Sequence, residues 1–298
     1  MRFVTGLILL SILFWSSAPL AESRENLPSL PALNDPPTTE RLPGKFVFAD
    51  FFTSDVERAR GFYGELFGWE WRWVSPDHEY GIFYQNEVAV AGVADRVGTD
   101  PDRAYGRWVY YMSAENVDKK IGEITAGGGR VLLEPRALPE RGTLAVVADA
   151  EDAVFGLLDS TSGDPADFRA APGEWLWVSL YSRDPSTSSR FYQSLFGYEI
   201  FEEEEAKEAV DYILSTGGYA RAGISRLSAD NESHPTWLGY LRVEDVDATV
   251  AKAVSLGGEV MFGPDPSILN GDLVILADPI GAPFGVIRWT FDSDGETQ

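Results

Sequence analysis

The chain is written nearly twice. FYGELFGW at residues 62–69 returns as FYQSLFGY at 191–198, an offset of 191 − 62 = 129 residues. The same offset pairs Asp55 with Asp184, Trp108 with Trp237, Asp118 with Asp247, and Gly128-Gly129 with Gly257-Gly258. It continues through Pro135 and Pro264, Asp149 and Asp278, Ala153 and Ala282, and Phe155-Gly156 and Phe284-Gly285. A repeat this regular means that both halves adopt one fold. At 298 residues, each half is the size of an ordinary domain with its own core. It also gives each residue suspected of chemistry a twin to be compared with.

Each repeat opens on an alternating aromatic strand, Lys45–Phe52 or Glu174–Tyr181. A helix carrying FYGELFG or FYQSLFG follows. Ser54 and Glu57 have capping-box spacing in the first repeat, and Asp184 with Pro185 starts the helix in the second. Phe62, Leu66 and Phe67 share one helical face, and Gly68 and Gly197 stand where a left-handed C-cap is needed. Short strands follow at 69–74, 80–85 (after a turn at Pro76-Asp77) and 88–93. A second strand, helix and strand series then spans 108–112, 117–126, 130–134, 144–148 and 153–159. Each repeat therefore reads as βαβββ twice, giving four βαβββ units in an α+β chain.

The ends read differently. Arg2 precedes an apolar run from Phe3 to Trp15 and then small residues to Ala21, the layout of a secretory signal peptide. An uncleaved N-terminal anchor is the alternative. The expected organisation is signal peptide 1–21, disordered or extended linker 22–43, domains 44–160 and 173–291 joined by a linker at 161–172, and a tail at 292–298. The expected location is the periplasm or the exterior. There is no cysteine, so an exported chain of this kind has no disulfide staples. With 24 Lys and Arg against 47 Asp and Glu, the net charge of −23 repels phosphate backbones and argues against nucleic-acid binding. Most of that charge, including the run Glu202–Glu205, reads as solvated surface.

The spacing D-x(6)-FY-x(2)-LFG, the GG-x-V-x-x-x-P step and the D-x(3)-A-x-F-G ending all occur twice, at Asp55 and Asp184, Gly128 and Gly257, and Asp149 and Asp278. In these the chain resembles the vicinal oxygen chelate superfamily, which includes glyoxalase I, bleomycin-resistance proteins and extradiol dioxygenases, over residues 44–291. It is similar in detail to tandem two-domain, glyoxalase-like members. The resemblance implies two domains with cupped mixed sheets. The superfamily's enzymes hold a divalent metal in such a cup, on His, Glu or Gln.

Carried over residue by residue, the ligand positions of the first strand are Phe48 and Trp177. Those of the last strand are Gly156 and Gly285. Those of the strand opening the second unit fall at Trp108-Val109 and Trp237-Leu238. None of these side chains can ligate a metal. Asp50, two residues beyond Phe48 on the same strand face, is a carboxylate candidate, but its twin is Ser179. The histidines are His78 and His234, which are not twins and read as surface loop residues. Trp108 and Trp237 read as packing residues, and Asp149 and Asp278 as turn residues. No Ser-His-Asp grouping, phosphate loop or HExxH motif is present.

The expectation is a metal-free exported binding protein, with no predicted cofactor, that takes a small, partly apolar ligand in aromatic-lined cups. The expected pocket residues are Phe48, Asp50, Val109, Tyr111 and Gly156 in one cup, and Trp177, Ser179, Leu238, Tyr240 and Gly285 in the other. Pairing of the repeats within one chain would make a monomer sufficient; a homodimer is the alternative. The competing readings are a divalent-metal lyase or dioxygenase with relocated ligands, and a structural or interaction protein with filled cups.

Overall fold

The computed structural model describes residues 30–74, 78–96, 105–202, 210–227 and 234–291. The expected signal peptide, the Pro76-Asp77 turn, Glu203–Glu205 and the 292–298 tail lie outside these residues. Among the described residues no helix is long and apolar enough to cross a membrane.

The first repeat runs β1 (Phe46–Thr53), α1 (Val56–Phe67), β2 (Glu70–Trp73), β3 (Tyr80–Gln85) and β4 (Val88–Asp95). Its second unit is β5 (Gly106–Ser113), α2 (Val117–Ala126), β6 (Arg130–Leu138), β7 (Gly142–Ala148) and β8 (Val154–Ser160). The second repeat copies this order. It has β9 (Trp175–Ser182), α3 (Pro185–Phe196), β10 (Glu199–Glu202), β11 (Tyr212–Thr216) and β12 (Tyr219–Arg226). Then come β13 (Thr236–Val243), α4 (Val246–Ser255), β14 (Glu259–Phe262), β15 (Leu273–Ala277) and β16 (Pro283–Arg288). Each repeat forms one 8-stranded mixed sheet, ordered β2-β3-β4-β1-β5-β8-β7-β6 or β10-β11-β12-β9-β13-β16-β15-β14. The expected four βαβββ units are present.

Strand parity decides which residues meet. In β1 a register shift lies between Phe46 and Phe48. Beyond it Ala49 and Phe51 enter the main core beneath Phe62 and Tyr63 of α1, whereas Phe48 joins a separate cluster on the opposite face. That opposite face is the cup. In β5 the same alternation sends Trp108, Tyr110 and Met112 to the core and Val109 and Tyr111 to the cup.

The first helix is capped one residue later than its sequence suggests. Asp55 is the N-cap and accepts from the backbone N–H of Arg58 at 3.0 Å. Ser54 instead accepts from the N–H of Tyr105 at 2.9 Å, holding the entry of β5. The repeat explains the choice, because Asp184 caps α3 through the N–H of Thr187 at 3.1 Å. Gly68 (φ 74°) and Gly197 (φ 77°) close the helices in the left-handed conformation.

The two sheets pack through their helix-bearing faces into one continuous apolar core. Trp175 of the second repeat lies 5.2 Å from Trp108 and 5.5 Å from Tyr110 of the first, centroid to centroid. Twin residues make reciprocal bonds across the junction. Trp69 Nε1 donates to the Gly173 carbonyl at 2.9 Å, and Tyr198 OH donates to the Gly44 carbonyl at 2.6 Å. The twin carbonyls of Leu66, near the end of α1, and Leu195, in α3, each accept from a lysine of the opposite domain that is not the other's twin, Lys252 Nζ at 3.4 Å and Lys120 Nζ. Each lysine puts positive charge at the negative end of a helix.

The segment read as a linker is docked over its described part, residues 30–43. Asn34 bonds the carbonyls of Ser162 and Gly163, Thr38 N–H bonds Ser162 O, and Leu42 N–H bonds the buried Asp164 carboxylate at 2.6 Å. The 161–172 segment is tied down as well. Asp167 lies between Lys45 at 2.8 Å and Arg221 at 2.5 Å, both nearly buried.

Candidate functional site

In the first domain the expected cup residues come together. Phe48 and Asp50 of β1 and Tyr111 of β5 border a cavity of about 10 Å³ with Leu30, Tyr80, Arg141, Leu144 and Leu158. Val109 belongs to the same cluster, and Gly156 is the Cα partner of Tyr111. A cavity of that size holds about one water molecule. This cup is filled by its own side chains.

Asp50 is 4% exposed and accepts from Tyr80 OH at 2.5 Å. Burial holds its carboxyl above the usual carboxylate range, opposed by the hydrogen bond from Tyr80, the charge of Arg141 and a hydrogen bond from Tyr111. Burial and the Asp50 charge push the Tyr80 and Tyr111 hydroxyls well above their ordinary range, so both are donors. Gly92 makes room for the arrangement. A Cβ there would lie 1.8 Å from Tyr80 OH and 2.1 Å from Asp50 Oδ1.

Gly156 and Gly285, at the family's last-strand ligand positions, have a shared geometric reason. A Cβ on Gly156 would lie 2.2 Å from Tyr111 Cδ1, and one on Gly285 would lie 2.1 Å from Tyr240 Cδ1. In each domain the neighbouring strand lays a tyrosine ring across the space that a ligating side chain would need.

The second cup has the same skeleton and a different filling. Trp177 Nε1 donates to Ser179 Oγ at 2.9 Å, and the Tyr181 and Tyr240 hydroxyls bond at 2.7 Å. Leu238, Tyr240 and Ile287 are buried at its floor. Trp177, Tyr181, Leu273, Ile275 and Trp289 line it and are only half-buried. Half-buried aromatics border both clusters, Phe52 and Tyr84 in the first, but Phe48 is buried in its cup whereas its twin Trp177 is only half-buried.

A divalent metal does not fit the side chains at these positions. Among the described residues, no three His, Cys, Asp or Glu side chains come together. The first cup offers one carboxylate, already engaged by tyrosines, beside the positive guanidinium of Arg141. The second offers a serine hydroxyl that the Trp177 indole already engages. His234 is exposed, and His78, also exposed, stacks on Trp73 at 4.7 Å.

Trp108 and Trp237 pack in the core as expected, and each indole donates to a tyrosine, Tyr63 at 2.9 Å and Tyr192 at 3.0 Å. Asp149 and Asp278 are turn residues through one oxygen, which accepts from the N–H groups of Ala153 and Ala282. Their other oxygens reach across to the opposite domain. Sequence reasoning missed this second role, although the tryptophan, tyrosine and aspartate all repeat at the 129-residue offset. It also missed Leu30, Tyr80 and Arg141. Arg141 falls in the PERG turn, and Asn270 stands at the corresponding place in the other repeat, so the duplication gave no pointer.

Comparisons with known proteins agree with this architecture. Residues 45–155 match the profile of the Glyoxalase/Bleomycin resistance protein/Dioxygenase superfamily, and residues 177–287 match that of the Glyoxalase-like domain. The Mycobacterium bovis protein CFP32, which bears a provisional glyoxylase name, is 27% identical over 85% of this chain and 98% of its own. The anthracycline biosynthesis protein DnrV of Streptomyces peucetius is 29% identical over 84% of this chain and 95% of its own. Among solved structures, the Mn(II)-bound glyoxalase of Novosphingobium aromaticivorans shares the fold with a TM-score of 0.54 at 17% identity, covering 86% of both chains. The 2,3-dioxygenase LapB of Pseudomonas sp. KL28 does so with 0.56 at 13% identity, covering 86% of this chain and 97% of its own. With the repeat, the sheet order and the twin cups in place, the chain belongs to the vicinal oxygen chelate superfamily as a tandem, two-domain, glyoxalase-like member.

Proposed function

We propose that the protein binds a small, flat, partly aromatic molecule in its second cup without a metal. The observation that carries this reading is the half-buried aromatic wall of Trp177, Tyr181 and Trp289 over a floor of Leu238, Tyr240 and Ile287. Such a surface suits stacking and apolar burial, with the Tyr181–Tyr240 hydroxyl pair as its polar handle. The side chains at the family's ligand positions support metal independence in both cups. The anthracycline-biosynthesis name of the Streptomyces relatives is consistent with an aromatic ligand class. Export through residues 1–21, and a monomer sustained by the pairing of the repeats, belong to the same proposal.

The test is titration of the full chain with 1,8-dihydroxyanthraquinone while tryptophan fluorescence is followed. Saturable quenching that Trp177→Ala removes and a chelator leaves unchanged is the expected result. No saturable quenching, or quenching that needs added metal, overturns the proposal.

One observation favours an interaction role instead. Val260, Met261 and Phe262, on the edge strand β14, are 43%, 56% and 42% exposed. Concentration-dependent association of the chain, lost on Met261→Lys, would support that reading.

A further inference from the structure

Arg141 is the least expected residue of the first cup. It leaves the β6–β7 turn, turns inward and is 2% exposed. Its guanidinium lies over the Phe48 ring at 4.1 Å, above the first-strand position where the family's enzymes keep a metal ligand. Its Nε donates to the Pro31 carbonyl at 2.7 Å. Its Nη2 is buried with no hydrogen-bond partner among the described residues. A buried charged donor without an acceptor is costly, and native structures seldom keep one without a use. Asp50 shares the cavity, but its carboxylate already serves Tyr80 and Tyr111.

The cup is closed by the chain's own N-terminal strap. Leu30 is 4% exposed and fills the mouth against Phe48, Leu144 and Leu158. Anchorage of the strap to residues 162–164 starts at Asn34, and on the Leu30 side the Arg141–Pro31 bond holds it. The strap thus brings to the cup one acceptor oxygen on the guanidinium and one branched apolar group on the aromatic floor.

We propose that this strap mimics a ligand, and that the first cup is a gated site for a small aliphatic or aryl carboxylate. The carboxylate takes both Arg141 Nε and the unpartnered Nη2 in a bidentate pair, and the apolar body replaces Leu30 over Phe48. A carboxylate is preferred to a neutral carbonyl because it supplies the second acceptor that Pro31 lacks. Binding displaces the Leu30–Pro31 segment, so the strap sets the affinity by competing for the same groups. The inference rests on the reading that these cups bind organic molecules without metal. The dihydroxyanthraquinone titration of the second cup reports on that reading separately.

The test uses the full chain, with hexanoate as probe and hexanamide as its neutral counterpart, measured by calorimetry. Leu30→Ala removes the plug's apolar group and is expected to tighten hexanoate binding by about tenfold or more. Leu30→Ala with Arg141→Gln is expected to lose that gain, and hexanamide is expected not to bind measurably to any of these proteins. In the wild-type chain, phenylglyoxal modification of Arg141, followed by peptide mass, is expected to be slow and to be suppressed by hexanoate. The wild-type measurement needs no substitution to fold. The proposal is overturned if Leu30→Ala binds hexanoate no tighter than wild type, or if the gain survives Arg141→Gln. It is also overturned if Arg141 never reacts, or reacts equally fast with and without hexanoate. Anthraquinone binding that persists while these results fail would discard the strap-gated site and leave the second cup standing.

Discussion

Tyr63 in the first domain donates its hydroxyl hydrogen to Asp278 Oδ2 in the second at 3.0 Å, and its twin Tyr192 donates to Asp149 Oδ2 in the first at 2.9 Å. Each tyrosine oxygen also accepts from a buried indole, Trp108 or Trp237. The aspartates shape the turns before β8 and β16, so each turn is tied to a helix of the opposite domain. Tyr63→Phe removes one hydroxyl and strands both the Trp108 N–H and the Asp278 oxygen. Unsatisfied buried groups cost about 1–3 kcal/mol each. Urea unfolding of Tyr63→Phe is expected to show a loss of that order, in one transition seen equally by fluorescence and circular dichroism. Separate transitions for the two domains would show that the junction does not couple them.

Asp50 gives a pH dependence with a definite sign. Burial raises its folded-state pKa above the unfolded value of about 3.9. Between those two values the folded state binds the extra proton, so this group's contribution is full at low pH and fades as pH rises through the folded pKa. Asp50→Asn removes the titration and nearly keeps the shape. The stability of Asp50→Asn relative to wild type is therefore expected to improve as pH rises from 4 to 7, measured by thermal melts at each pH. A relative stability that stays flat or falls over that range would mean the carboxylate is not held in its raised state.

Gly156→Ala places a methyl group against the Tyr111 ring. Overpacking of this kind costs about 1–3 kcal/mol. The penalty is expected to shrink in a Tyr111→Ala background, which chemical unfolding in a double-mutant cycle reads directly. The same holds for Gly285 and Tyr240. Equal penalties in both backgrounds would show that the glycines are present for another reason.

The fold was legible because it rests on local signals that occur twice. The aromatic strands, the FY helices, Gly68 and Gly197, and the Asp184 cap each carry their own chemistry, and the offset checks one copy against the other. The capping-box spacing of Ser54 and Glu57 misplaces the start of α1 by one residue, although the twin Asp184 already points to Asp55. The cup positions Phe48 and Val109 came from the family resemblance, and strand parity added Asp50 beside Phe48; the structure places all three in one cluster with Tyr111 or on its cavity. The filling of the first cup was not legible. Leu30 and Arg141 come from a strap and a turn with no regular period, and only the tertiary structure brings them to Phe48. The different burial of the twins Phe48 and Trp177 has the same origin, because Leu30 and Arg141 pack against Phe48.

As proposed, these cups would hold organic groups where the family's enzymes hold a metal. Equilibrium dialysis of the full chain against Mn(II), Fe(II), Zn(II) and Ni(II), with metal quantified in the protein chamber, tests this most directly. No stoichiometric retention and a melting temperature unchanged by chelator are expected. One equivalent retained per cup, with stabilisation that a chelator reverses, would contradict it.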